Sequence, residues 1–255
     1  MGKYMRHIAP MLEMSASAVA ERERLERVAN VSLYTTRTGR ATIEYSFRIV
    51  RRHLTGTTVL EMGPAEGVMS ELLANTGMTM TLVEGSALFC SDLGKRLPQA
   101  EVVHCLFEDF EPSAGRKFDN IVLGHVLEHV HDPVHILSRA KHWLAPGGRI
   151  FAAVPNARSL HRQAAVMMGL LPSEHALNEM DVHHGHRRVF DPESFRNVFY
   201  QAGLNIDIFG GYWLKPVSNA QIERDWSTDM LEAFMQLGER YPDVAGEIYV
   251  LASAP

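Results

Sequence analysis

Apolar positions change their period near residue 57. Over residues 13–29, Val19, Leu25 and Val28 continue from Leu12 at roughly helical spacing around the charged run ERERLER, which predicts a solvated amphipathic helix. Residues 40–53 repeat the pattern through Ile43, Phe47 and Val50, and Thr55, Gly56 and Thr57 end it. Beyond that point short apolar runs of strand type at 58–62, 80–84, 101–104, 118–123, 149–154, 204–209 and 247–252 alternate with helical segments at 69–76, 87–96, 133–143 and 192–202. This rhythm predicts βαβ units and a mainly parallel sheet. Asp191 before Pro192 marks a helix start, because the carboxylate accepts from a free N–H and proline occupies a position that needs none. The stretches 156–189 and 212–245 exceed what a minimal alternating fold requires. Each can carry helices, and insertions at such places usually supply a substrate pocket or a subunit contact. The expected organisation is an N-terminal helical lid segment, 1–54, and one domain, 55–255, with two insertions.

Composition narrows the class of partner. A chain of 255 residues with 46% hydrophobic and 22% charged residues suits one soluble α/β domain, and a net charge of −5 offers no general attraction to nucleic acid or to an anionic membrane. No stretch approaches the ~18 apolar residues of a membrane span, and residues 9–20 are too interrupted for a signal sequence. Cys90 and Cys105 lie outside any CxxC spacing and read as buried thiols of a reducing compartment, which makes the cytoplasm the expected location.

The chemistry concentrates at the first strand. A strand that runs through an acid into a glycine turn and then a helix aims backbone N–H groups and a positive helix end at a ligand, and VLEMGPAEG at 59–67 has this form. A dinucleotide fingerprint would need three glycines; here Gly63 is followed by Ala65 and Val68. Glu61 and Glu66 would repel a pyrophosphate, whereas a carboxylate suits the ammonium of a methionine moiety. No GK[ST] follows, so a phosphate P-loop is excluded. Glu84 ends the next strand, 23 residues after Glu61, a spacing suited to a carboxylate that grips ribose hydroxyls.

From about residue 59 to 204 the chain resembles the class I S-adenosylmethionine-dependent methyltransferases. VLEMGPAEG is similar to the family's first motif, TLVEGS to its second, FDNIVLGHVLEHVHDP to its fourth, and LAPGGRIFAAVPN to its fifth-strand motif. Within it the chain looks closest to the ubiquinone-biosynthesis O-methyltransferases and to sugar- and antibiotic-modifying relatives, which share the E-H-V step and a later stretch like HRRVFDPESF. The resemblance implies an α/β, Rossmann-like seven-stranded sheet of order 3-2-1-4-5-7-6 with the seventh strand antiparallel, and S-adenosyl-L-methionine as cofactor. It places Glu61, Gly63, Pro64, Ala65, Gly67, Glu84, Gly85, Gly124 and His125 around the cofactor, with Tyr34 as a lid residue. Where the family often has an acid for the adenine amino group, this chain reads CLFED, leaving Phe107 to pack on the ring and Glu108 as the polar partner. Ala65 replaces a usual glycine and is expected at negative φ, since Cβ disfavours the left-handed region.

On a helix, His125, Glu128 and His129 would share one face. Relatives of the ubiquinone type are thought to place an ion near a similar E-x-x-E-H, with His125 here standing for the first Glu; no metal is expected, and this trio is the sole candidate. Methyl transfer chiefly needs positioning, but an alcohol or ammonium acceptor must also lose a proton, for which His129 is the first candidate base and His186 the second. Arg158, His184, Arg188, Tyr212 and Lys215 mix aromatic and basic groups suited to a polar substrate. The expected activity is methylation of an O or N atom of a polar small molecule such as a sugar, glycoside or natural-product intermediate, as in antibiotic biosynthesis, with a homodimer as a further expectation. Protein methylation and a non-catalytic cofactor-binding partner are the alternatives. Nucleic-acid base methylation is disfavoured by GHVL where an (N/D)PP(Y/F) motif would stand.

Overall fold

A computed structural model describes residues 16–29, 36–113 and 115–255. Seven strands form one sheet in the order β3-β2-β1-β4-β5-β7-β6: β1 Thr58–Met62, β2 Thr79–Glu84, β3 Glu101–His104, β4 Phe118–Gly124, β5 Leu144–Pro155, β6 Asn205–Tyr212 and β7 Glu247–Ser253. All pairs are parallel except those of β7, which runs antiparallel between β5 and β6. The antiparallel strand has a functional consequence. It pairs Glu247, its first residue, with Pro155 at the end of β5 and Tyr212 at the end of β6, so Glu247 stands on the same sheet edge as the loops after β1, β2 and β4.

The strands are apolar on both faces, as a sheet covered on two sides requires. Leu60, Met62, Ile121 and Leu123 pack with Ile136 of α5 (Pro133–Trp143) and Phe195 and Phe199 of α8 (Pro192–Gln201). Val59, Leu82, Val122 and Phe151 pack on the other face with Ile49 of α2 (Arg37–Arg51), Leu73 of α3 (Val68–Ala74) and Leu93 of α4 (Ala87–Arg96). Alternation therefore sends the side chain of Glu61 toward α3, the face on which Val59 also lies.

Helix starts follow the chain's polar punctuation. Thr36, Ser86 and Asp132 each accept a hydrogen bond from a first-turn N–H, and Asp191 forms a capping box with Ser194 ahead of α8, where Pro192 takes the first position as expected. Two elements run longer than the apolar pattern predicts. Leu144 already pairs with Phe118 ahead of the register shift in β4 and β5, and β6 continues in pairing with β7 through Gly210 and Gly211, where Tyr249 and Pro242 leave no room for a side chain. The first insertion carries α6 (Leu160–Met167) and α7 (Glu179–His183), and the second carries α9 (Asn219–Asp225) and α10 (Thr228–Gly238).

The first helix, α1 (Ala16–Ala29), reaches both sides of the functional edge. The Glu26 carboxylate accepts from Ser86 Oγ at 2.9 Å and the Ala87 N–H at 2.6 Å, Leu25 packs against Gly85, and Arg24 donates to the Gly185 carbonyl at 3.0 Å. Tyr34 lies outside the described residues. Among the described residues no helix is long and apolar enough to cross a membrane. Cys90 and Cys105 are free and half-buried rather than buried, and desolvation pushes their thiols up to about 12 and about 11, far from thiolate reactivity.

Candidate active site

The turn after β1 is built from left-handed residues. Gly63 (φ +69°), Ala65 (φ +48°) and Gly67 (φ +78°) all take positive φ, and the Gly67 N–H closes the turn on the Pro64 carbonyl at 2.8 Å. The expectation of negative φ at Ala65 is thereby corrected. The turn needs the left-handed conformation at that position whether or not the residue is glycine, and Ala65 bears a Cβ cost of roughly 1 kcal/mol or more. Replacing Ala65 with glycine is expected to raise thermal stability by about 1–3 °C, because strain of roughly 1–2 kcal/mol exceeds the roughly 0.5–1 kcal/mol of added chain entropy. Differential scanning fluorimetry checks this, and a melting temperature well below wild type would mean that the strain is small.

Two buried carboxylates hold this turn. Glu84 accepts from the Ala65 N–H at 3.1 Å with one oxygen and from the Ser86 N–H at 2.8 Å with the other, tying the β1 loop to the β2 loop. Each oxygen keeps a second lone pair for a ligand hydroxyl. Glu61 accepts from Ser70 Oγ at 2.6 Å, and burial, only partly offset by Ser70 and reinforced by Glu84, pushes its carboxyl up to about 7. A Cβ at Gly63 would sit 3.0 Å from Val126 Cγ2 and 3.2 Å from Phe107 Cζ, so the space over this glycine is a cradle bounded by the β3 and β4 loops. Among the described residues, chain neighbours aside, no atom lies within 4 Å of a Cβ built at Gly124. Phe107 borders this cradle, while Glu108 is exposed. The carboxylates, the glycine cradle and a helix start after Gly67 fit an S-adenosylmethionine molecule, whose ammonium and ribose hydroxyls both need acceptors.

Past the loop after β4 lies a cluster of polar groups. Residues 125–131 form a turn rather than the helix on which the His125, Glu128 and His129 face was expected; His125 itself is left-handed (φ +57°), which breaks any helical face. Glu128 is fully buried, neither of its oxygens is hydrogen-bonded among the described residues, and its neighbours are His125 Nδ1 at 3.5 Å and His129 Nε2 at 3.9 Å. Burial pushes the Glu128 carboxyl up, but the surrounding histidines outweigh it and hold it well below the usual range. The His129 ring meets His186 edge-on, with centroids 4.8 Å apart, and its Nδ1 is 3.3 Å from the Gly185 carbonyl. Desolvation pushes His129 down to about 4, leaving it neutral and weakly basic at pH 7. His186 Nδ1 lies 3.2 Å from Asp181, which is held in turn by the buried Arg162 at 3.0 Å.

Ligand atoms of Glu128, His129 and His186 fall within 4.8 Å of one another. His186 therefore joins two of the three residues grouped in the sequence, and His125 does not. Tetrahedral donors around zinc stand only about 3.4 Å apart, so the trio would have to close before gripping an ion, and no metal ligand is assigned.

Other candidates are dispersed. Lys215 sits beside the cluster with Nζ 4.8 Å from the Trp213 ring centroid, and burial pushes its ammonium down to about 8. His184 lies 5.9 Å from His186, ring to ring. Tyr212 is in the core, stacked on Tyr45 at 5.6 Å; Arg158 pairs with Glu193 at the surface; Arg188 donates to the His131 carbonyl. Two further residues join this edge, Arg187 from among the cations of the first insertion and Glu247, which was not anticipated. Arg187 ties the His129 carbonyl (2.7 Å) to Glu21 of α1 (2.6 Å), and Glu247 brings a second buried carboxylate within 3.9 Å of His125 Nδ1. A lone Glu opening the last strand carries no local signal; the antiparallel β7 pairing alone reveals its position.

A doubly wound sheet with a strained glycine turn after β1 and an acid closing β2 defines a Rossmann-like enzyme with an adenosyl cofactor. A family model described as a methyltransferase domain matches residues 35–207. The chain is 28% identical over 179 residues to the ubiquinone biosynthesis O-methyltransferase of Xylella fastidiosa (strain 9a5c), covering 65% of this chain and 68% of that one. To the protein of that name from Rhizobium leguminosarum bv. trifolii it is 26% identical over 193 residues, 74% of each. Solved structures share the fold: the CcbJ methyltransferase from Streptomyces caelestis (TM-score 0.63, 13% identity, covering 90% of this chain and 97% of that one) and the glycopeptide N-methyltransferase MtfA complexed with S-adenosylmethionine (TM-score 0.55, 14% identity, covering 82% and 86%). The chain belongs to the S-adenosylmethionine-dependent methyltransferases, and S-adenosylmethionine is its cofactor.

Proposed function

We propose that the enzyme methylates an oxygen or nitrogen atom of a polar small molecule in a reducing compartment such as the cytoplasm. The observation that carries this reading is the enclosure of the polar groups beyond the β4 loop: the His125 side chain is 8% exposed, His186 9% and His129 22%. A site this closed suits a compact acceptor better than a macromolecular surface. The bound cofactor supplies a methyl group on a sulfonium, a strong electrophile. The chain's residues do the remainder. Glu61 and Glu84 hold the cofactor's cationic and hydroxyl-bearing ends, His129, His184, His186 and Lys215 surround the acceptor, and a histidine takes the departing proton. Sugars, glycosides and natural-product intermediates, including those of antibiotic biosynthesis, have the required hydroxyl or amino groups. The charge of −5 supports neutral or cationic acceptors over nucleic acid. We assign α1 as a lid over the cofactor, on the contacts of Glu26, Leu25 and Arg24, and expect a homodimer.

The test is transfer of radiolabelled methyl from S-adenosylmethionine to 3,4-dihydroxybenzoate, glucosamine and tyramine, beside an unfolded protein and a bulk peptide mixture. Labelling of a small acceptor is the expected result. Labelling of protein alone would overturn the substrate class. Activity is also expected to survive exhaustive treatment with a chelator, and loss that added divalent ions restore would show that Glu128, His129 and His186 close around a metal.

A further inference from the structure

The site contains a histidine whose surroundings differ from those of the two expected bases. His125 follows directly from β4, its backbone N–H bonded to the Ala153 carbonyl at 2.9 Å, and it holds a left-handed conformation rare for a residue with a side chain. Strained backbone of this kind persists where the surrounding structure over-determines it, and it collects at functional sites. Two acids, one three residues on and one from the last strand, face one atom of this ring. Glu128 Oε1 is 3.5 Å and Glu247 Oε2 is 3.9 Å from Nδ1, and both carboxylates are buried.

Two carboxylates within 3.9 Å of one nitrogen draw the proton to it electrostatically. The Nδ1–H tautomer is favoured, and Nε2 becomes the basic nitrogen. Burial alone lowers the basicity of His125, but Glu247 and Glu128 outweigh it and leave the ring raised above its ordinary range, whereas His129 is depressed. A carboxylate behind an imidazole is the arrangement that activates hydroxyl nucleophiles elsewhere.

We propose that His125 is the general base of the methyl transfer, with Glu247 and Glu128 as its positioning residues. As the acceptor's lone pair bonds to the methyl carbon, the carbon–sulfur pair returns to sulfur, and the acceptor's O–H or N–H proton passes to Nε2. The resulting imidazolium is balanced by the two carboxylates until its proton leaves to water. This assignment rests on the acceptor atom being oxygen or nitrogen, as proposed above. It takes from His129 and His186 the role expected of them and leaves them as walls of the acceptor site.

Two experiments on the full chain bound to S-adenosylhomocysteine or S-adenosylmethionine decide it. Long-range nitrogen–proton NMR should show His125 as the Nδ1–H tautomer, with that preference lost in Glu247→Gln and weakened in Glu128→Gln; an Nε2–H tautomer in wild type would overturn the assignment. In kinetics, His125→Asn keeps a residue tolerant of positive φ. Its turnover on the best of the three acceptors should fall at least about 100-fold, with the dissociation constant of S-adenosylmethionine within about threefold of wild type. His125→Gly should be equally slow and recover turnover with added imidazole. Turnover within tenfold of wild type, or cofactor affinity falling in parallel with turnover, would remove His125 as the base. If wild type methylates none of the three acceptors, the substrate class is what fails, and the tautomer alone decides the role of His125.

Discussion

Gly63→Val is expected to abolish measurable cofactor binding while leaving a folded protein. At φ +69° a β-branched residue carries a backbone cost of about 1–2 kcal/mol, and the turn cannot relax to negative φ without losing the Gly63 N–H bond to the Val83 carbonyl at 2.9 Å. The new Cβ would also stand 3.0 Å from Val126 Cγ2 and 3.2 Å from Phe107 Cζ, and the added methyl groups fill the space between these walls. Affinity for S-adenosylmethionine, measured by calorimetry, should fall by more than about 100-fold, a loss of about 3 kcal/mol or more. The melting temperature of the cofactor-free protein should fall by only a few degrees, since the sheet core lies below the loop. Unchanged affinity would mean that the cofactor does not use this cradle. Ala65→Gly provides the internal comparison, because it alters the same turn without narrowing it.

The parts of this fold legible in the sequence are those whose signal is local. Strands β1 and β3 begin and end where their apolar runs do, and the capping pair Asp191 and Pro192 marks α8 without reference to anything distant. Glu61, Gly63 and Glu84 were likewise legible, because the strand–turn–helix pattern places them on one edge of any parallel sheet. The acceptor side is different. The i, i+3, i+4 spacing of His125, Glu128 and His129 pointed to a helix, but the backbone reverses at His125, where bonding to β5 and a left-handed φ override the local periodicity. Glu247 reaches the site from more than a hundred residues away through the β7 register, and Arg187 does so through hydrogen bonds to the Glu128 and His129 segment. Such contacts depend on tertiary closure, which neither composition nor spacing encodes.

Glu61→Gln should stabilise the cofactor-free enzyme at alkaline pH and weaken cofactor binding at the same time. The carboxyl titrates near 7 in the folded chain because it is buried, against about 4.5 when exposed. A carboxyl with a raised folded value contributes stability that is complete below the unfolded value and is lost as pH climbs through the folded one. Between pH 4.5 and 7 wild type therefore loses on the order of 3 kcal/mol that a neutral glutamine retains. The variant should melt several degrees above wild type at pH 8 and alongside it at pH 4.5. Binding runs the other way. The cofactor's ammonium needs the ionised carboxylate, so wild-type affinity should rise roughly 15-fold from pH 5.5 to 7.0 as Glu61 loses its proton, with proton release visible as buffer-dependent binding enthalpy. In Glu61→Gln that pH dependence should vanish and affinity at pH 7.5 should fall at least tenfold, in line with about 1.5–3 kcal/mol for a charge-assisted hydrogen bond. Equal melting temperatures at pH 8, or binding insensitive to pH in wild type, would show that Glu61 is ionised without the cofactor. Its burial would then serve the fold rather than hold a cation, and the cofactor's ammonium would have to rest elsewhere on the edge.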